Sequence, residues 1–204
     1  VNLRSRIDYL CNINGLTIDM LDIPVEELDM LEQGMVHLPP SSIQRLSTVF
    51  DRPASYFEEH EEVNPCLHQL LIEFQQKLQS DEGNMENLIV RIESYQPIPS
   101  LQQEVIYHLL LAVYHYKKQR FDHASWLEDN FLCYFLDKYP ILKQNIIFDK
   151  AMFHYLGVKY YYMHNFDESK RYFEELLELS KEDREHKADY SMLTHFSQGE
   201  RLRA

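Results

Sequence analysis

Residues 151–179 read AMFHYLGVKYYYMHNFDESKRYFEELLEL, and this stretch decides the fold. Apolar and aromatic residues recur three and four apart on both sides of a polar break at Asn165-Phe166-Asp167. That is the spacing of two amphipathic helices joined by a tight turn. Phe153 and Tyr160 flank Gly157 one turn away on either side. Glycine carries no Cβ, so the pattern predicts a close approach of the partner helix at this point. A hairpin of this kind cannot bury its apolar face alone, and similar neighbours are expected beside it.

The neighbours are present. Residues 101–118 and 121–138 form a second predicted hairpin that aligns with the first at an offset of 45. Tyr116 falls on Tyr161, Leu111-Ala112 on Leu156-Gly157, Phe121-Asp122 on Phe166-Asp167 and Ala124 on Ser169. Residues 64–95 carry two further apolar stripes: Leu67, Leu70, Leu71, Phe74 and Leu78, then Met85, Leu88, Ile89 and Ile92. Residues 188–202 look like the first helix of one more pair, either capping the stack or cut off from its partner. Phe153, Leu156, Gly157 and Tyr160, followed by Ser169 and Phe173, resemble the two helices of a tetratricopeptide (TPR) repeat. The offset exceeds the ~34 residues of the standard unit, which implies longer helices. The expected fold class is all-α, with a TPR-like stack of antiparallel helix pairs over residues 63–204.

The composition fits long helices: five glycines and eight prolines in 204 residues, with no proline after Pro140. Cys11, Cys66 and Cys133 are odd in number and far apart, which points to reduced thiols and a cytoplasmic location. No run approaches ~18 consecutive apolar residues, and no signal-peptide layout is visible. The chain starts at Val1 rather than Met, so a trimmed N-terminus is expected.

Residues 1–62 read as a separate head of five short helices. Leu3, Ile7, Leu10 and Cys11 share one face of a first helix that Gly15 ends. Thr17 is placed to cap a very short second helix, and Pro24 opens a third over Val25–Glu32 that Gly34 stops. Pro39-Pro40-Ser41 recaps a fourth that runs to Phe50, and Ala54–Phe57 closes the head with a last turn. Leu16, Thr17, Leu31, Glu32, Gly34, Pro40, Ser41, Leu46 and Tyr56-Phe57 together resemble the Cro/CI (XRE) type of helix-turn-helix domain. A degenerate head of that type joined to TPR-like pairs resembles the peptide-responsive Gram-positive regulators of the Rgg, PlcR and NprR group. The resemblance implies a homodimer formed through the repeats and a head that binds DNA. It also implies quorum-sensing control by a short peptide bound on the concave repeat face.

Charge argues differently. The net charge is −13, and residues 1–62 hold twelve Asp or Glu against four Arg, a local −8. The third helix, which would read bases, presents Glu26, Glu27, Asp29 and Met30 and has no Arg, Lys, Gln or Asn. Arg4, Arg6, Arg45 and Arg52 are the head's cations for phosphate contact. Two readings therefore stand: a DNA-binding regulator, or a protein-binding regulator such as an anti-repressor that no longer binds DNA.

On the repeats, the first-helix residues off the packing stripe are expected to line the concave face. These are Leu109, Val113, Tyr116 and Lys117, then His154, Val158, Tyr161 and Tyr162, with Asn130 and Asn145 as clamps for a peptide backbone. An ordinary amphipathic surface accounts equally well for the tyrosine run. No zinc-hydrolase histidine pair, glycine-rich phosphate loop or recognisable nucleophile is present, so no metal, cofactor or enzymatic activity is expected. A dimer surface is expected on the final helix, at Tyr190, Leu193 and Leu202.

Overall fold

The computed structural model describes residues 3–32, 37–58, 63–80, 84–136 and 146–180. These are helical, with no strand among them. The head contains α1 (Leu3–Ile13), a 3-10 turn (Ile18–Leu21), α2 (Val25–Glu32), α3 (Pro40–Phe50) and a second 3-10 turn (Ala54–Tyr56). The helices that follow are α4 (Pro65–Ser80), α5 (Met85–Glu93), α6 (Leu101–Lys117), α7 (Phe121–Leu127), α8 (Cys133–Leu136), α9 (Ile146–Tyr162) and α10 (Phe166–Leu179). Gly34, Asn145 and the helix expected over 188–202, with Tyr190, Leu193 and Leu202, lie outside the described residues. No described helix is long and apolar enough to cross a membrane.

Local chemistry sets the boundaries. Gly15, at φ +64, ends the turn after α1. Pro40 opens α3, where its missing N–H is no loss, and Asp51 closes it in the left-handed region. The Asn64 carboxamide accepts from the Cys66 and Leu67 amides at the start of α4. Asn84, Ser100 and Asn165 do the same for α5, α6 and α10. Thr17 precedes its turn in an extended conformation, but its hydroxyl accepts no capping hydrogen bond from the described residues.

The predicted close approach occurs at Gly157. A Cβ on this residue would stand 2.6 Å from Cε1 of Phe173. The Ser169 hydroxyl donates to the Gly157 carbonyl at 2.8 Å. Tyr172 stacks on Tyr160 from the other side, with ring centroids 5.6 Å apart. Small residues at 157 and 169 thus let α9 and α10 meet backbone to side chain.

Helix α6 is the axis of the larger core. It packs against α4, α7 and α9, and is buried around most of its circumference. The helix expected over 121–138 is described as far as Leu136 and runs on through a π turn over Glu128–Leu132 that joins α7 to α8. The buried apolar residues form two clusters, one over Leu3–Phe57 and one over Leu67–Leu176. Tyr9 packs against both, with its ring 4.9 Å from that of Phe131. Helix α1 is therefore buried on two sides, and the second side carries a charge.

Candidate functional site

That charge is Arg6, which is 1% exposed. Its Nε and Nη2 donate to one carboxylate oxygen of Glu104 at 3.1 and 2.6 Å. Nη1 donates to the carbonyls of Tyr56 and Pro99, and Nη2 also donates to that of Ile98. The Tyr56 hydroxyl donates to the other Glu104 oxygen at 2.5 Å, and its ring lies under the guanidinium. Burial and the Glu104 charge push the Tyr56 phenol well above its ordinary value. The expectation that Arg6 is a surface cation for phosphate is corrected by this geometry. A guanidinium with five donors is fully used in holding the head to the α5–α6 junction.

The other three cations are at or near the surface. Arg4 pairs with Asp8 at 3.0 Å and with Glu32 at 3.7 Å. Arg45 meets the side chain and carbonyl of Asp22. Arg52 is exposed and lines a cavity of about 160 Å³ between the head and α6.

Helix α2 turns Leu28 and Leu31 into the head core. At ~100° per residue, Glu32, Val25, Asp29, Glu26 and Met30 then share the outer arc. All five are exposed, Val25 at 60% and Met30 at 42%. Glu27 sits at the edge of this face, and its carboxylate accepts from the Ser42 hydroxyl at 2.6 Å. Two large apolar groups thus stand among three carboxylates, of which Glu32, at one end of the arc, meets Arg4.

The proposed peptide-binding residues are mostly not on a surface. Leu109, Val113, Tyr116, His154 and Val158 are buried. The physical reason is that α6 and α9 lie side by side, so residues off the α9–α10 stripe face the neighbouring first helix instead of solvent. His154 is 0% exposed and neither ring nitrogen has a hydrogen-bond partner among the described residues. Burial, with a smaller push from Lys117, lowers its pKa to about 3. Lys117 donates to the Leu78 carbonyl at the end of α4. Asn130 bonds back to the Trp126 carbonyl at 2.9 Å within its own helical segment. Tyr161 and Tyr162 are half-buried, and the Tyr162 ring stacks on Tyr116 at 5.8 Å.

The structure also brings together residues that the periodicity does not single out. Glu128, the first residue of the π turn, accepts from the hydroxyls of Tyr116 and Tyr155 at 2.8 and 2.7 Å. The Lys159 ammonium reaches its other oxygen at 2.9 Å. Burial first and the Glu128 carboxylate second raise both phenols above their ordinary value. Glu104 was the detectable signal for the seam, being an acidic residue inside the apolar run of α6. A larger cavity, about 600 Å³, lies between Pro53, Pro65, Pro97, Pro99, Tyr95 and Gln103. Among the described residues no group of three His, Cys, Asp or Glu is placed to hold a metal ion. Comparison with family models, with curated proteins and with solved structures finds no match for this chain.

Proposed function

We propose that the protein is a regulator that acts by protein contact, with a helix-turn-helix-like head carried on TPR-like helix pairs. The observation that carries the reading is the outer face of α2, where Val25 and Met30 stand exposed among Glu26, Asp29 and Glu32. Such a face suits a partner surface that is basic with apolar pockets. It opposes phosphate, because DNA affinity rests on cations neutralising the backbone. The burial of Arg6 and the pairing of Arg4 and Arg45 with carboxylates reduce the cationic surface further. Direct DNA binding is the second reading, favoured by the exposed Arg52. Control by a peptide on the repeat face has less support, since Tyr116, His154 and Val158 are buried. Dimerisation through the repeats remains part of the proposal.

The test pairs a genomic-fragment binding selection with partner capture from the native cytosol. The protein reading expects no duplex bound more tightly than the ~10⁻⁴ to 10⁻⁶ M of non-specific contact, even at low salt. It also expects a captured partner to be lost when Glu26 and Asp29 become Lys, with the helical content unchanged. Sequence-selective duplex binding that falls steeply with salt would overturn it and restore the DNA reading.

A further inference from the structure

The cavity at the seam is built from both parts of the molecule. Tyr9, Arg52 and Tyr56 come from the head; Gln96, Glu104 and His108 come from the α5–α6 junction and α6. Its volume of about 160 Å³ is far more than the ~10–15 Å³ that a single water needs.

The polar groups around it divide into used and unused. Both oxygens of Glu104 are occupied, one by Arg6 and the other by the Tyr56 hydroxyl. His108 Nδ1 lies 2.8 Å from the Glu104 carbonyl, an acceptor, so this nitrogen carries the proton. Burial lowers the His108 pKa and keeps the ring neutral, which leaves its other nitrogen a bare acceptor. His108 is thus no donor to the cavity. The Tyr9 hydroxyl, the Arg52 guanidinium and the Gln96 side-chain carboxamide have no hydrogen-bond partner among the described residues.

The charges divide the same way. Arg6 balances Glu104 at 2.6 Å. Arg52 is left as the uncompensated charge of the lining, and it is exposed where solvent can reach it. A cavity of net positive charge, in a chain of net −13, selects by sign. Each of these three side chains can donate, and a guanidinium presents two parallel N–H bonds that match two oxygens of one anion.

We infer that this cavity binds a small oxyanion of the carboxylate or phosphate type, held by Arg52 with the Tyr9 hydroxyl and the Gln96 side-chain carboxamide. The ligand bridges head and helix pairs beside the Arg6–Glu104 ion pair. Binding therefore favours the docked arrangement of the two parts, and the site serves as an effector site independent of the α2 face.

The test uses the full chain with inorganic phosphate and with acetate as separate probes, at ionic strength held constant with sodium chloride. Calorimetric titration and amide NMR shifts are expected to show saturable millimolar binding of at least one probe, with the shifts centred on Tyr9, Arg52 and Gln96. Which probe saturates at lower concentration assigns the oxyanion class. Phosphate also stabilises proteins by exclusion from their surface, so the variant comparison carries the reading. Arg52→Gln is expected to weaken binding at least tenfold, and Tyr9→Phe several-fold. Absence of saturation by 50 mM of both probes (roughly fiftyfold above ~1 mM, where linkage alone would stabilise measurably) overturns the inference. Titration of Arg52→Gln identical to the parent overturns it as well. If Arg52→Gln loses helical content, Gln96→Ala takes its place, and unchanged binding there has the same consequence.

Discussion

Arg6 and Glu104 stand 98 positions apart in the chain and form a 2.6 Å ion pair that fastens the head to α6. Both are buried, Glu104 at 7% exposure, so each charge depends on the other for compensation. Removing one partner of a buried pair costs ~3–5 kcal/mol, because the other charge is left without an equivalent. Arg6→Ala and Glu104→Ala are each expected to lose about that much in urea unfolding, and the double variant less than their sum. Arg6→Lys is not expected to rescue, since an ammonium cannot reach three carbonyls and a carboxylate together. A loss below ~1 kcal/mol in both single variants would show that solvent, not the pair, compensates these charges.

Gly157→Ala sets two effects against each other. Alanine gains ~1 kcal/mol of helix propensity over glycine. Against this, the new Cβ would meet the Phe173 ring at 2.6 Å, and Phe173 is itself buried and cannot swing aside. Overpacking of this kind costs ~1–3 kcal/mol, so a net loss of stability is expected. With Phe173→Leu in the background the clash is relieved, and the same alanine is expected to become neutral or stabilising. Thermal unfolding of the four proteins measures both signs.

His154 makes stability depend on pH. Its folded pKa of about 3 lies below the ordinary 6.5, so the unfolded chain takes up the proton first. The contribution is complete above pH 6.5 and is lost as pH falls toward 3, at up to ~1.4 kcal/mol per unit. His115, lowered to about 4 by burial, His123 and Arg120, acts in the same direction. His154→Leu is expected to flatten the pH 5–6.5 part of the stability curve. It is also expected to raise stability at pH 7 by ~1–3 kcal/mol, because two unpaired buried nitrogens disappear. An unchanged slope would mean that the imidazole has a partner in solution.

Within α2 the acidic residues are not equivalent. Glu27 ties α2 to the buried Ser42 of α3, a bond to a charged group worth ~1.5–3 kcal/mol, so Glu27→Ala is expected to destabilise by that order. Glu26→Ala and Asp29→Ala are expected to stay within ~0.5 kcal/mol of the parent. Guanidinium unfolding of the three variants separates the structural carboxylate from the surface ones.

The helices of the head and the hairpins at 101–136 and 146–179 follow from local pattern. Spacing of apolar residues, capping by Asn and Ser, and breaks at Gly and Pro act within a few residues, and the chain states them directly. The contact of Gly157 with Phe173 belongs to the same class, because a small residue opposite an aromatic within one hairpin is a short-range code. Periodicity is weakest where a helix is buried on more than one side. Helix α6 and helix α9 are apolar almost all round, so the sequence assigns no outer face, and Tyr116, His154 and Val158 read as a lining when they are packing.

What the tertiary structure alone decided is where the long-range polar groups meet. Arg6 on α1 has no local sign that its guanidinium turns away from solvent, and Glu104 becomes its partner only when α1 docks on α6. Glu128 gains its two tyrosines and Lys159 through the π turn, which no spacing in residues 121–138 announces. Helical pattern, hairpins and the negative charge of the head are legible along the chain, because these depend on neighbours and composition. The fates of individual charges were decided by folding, because burial of an ion is permitted only where a second element brings the opposite charge.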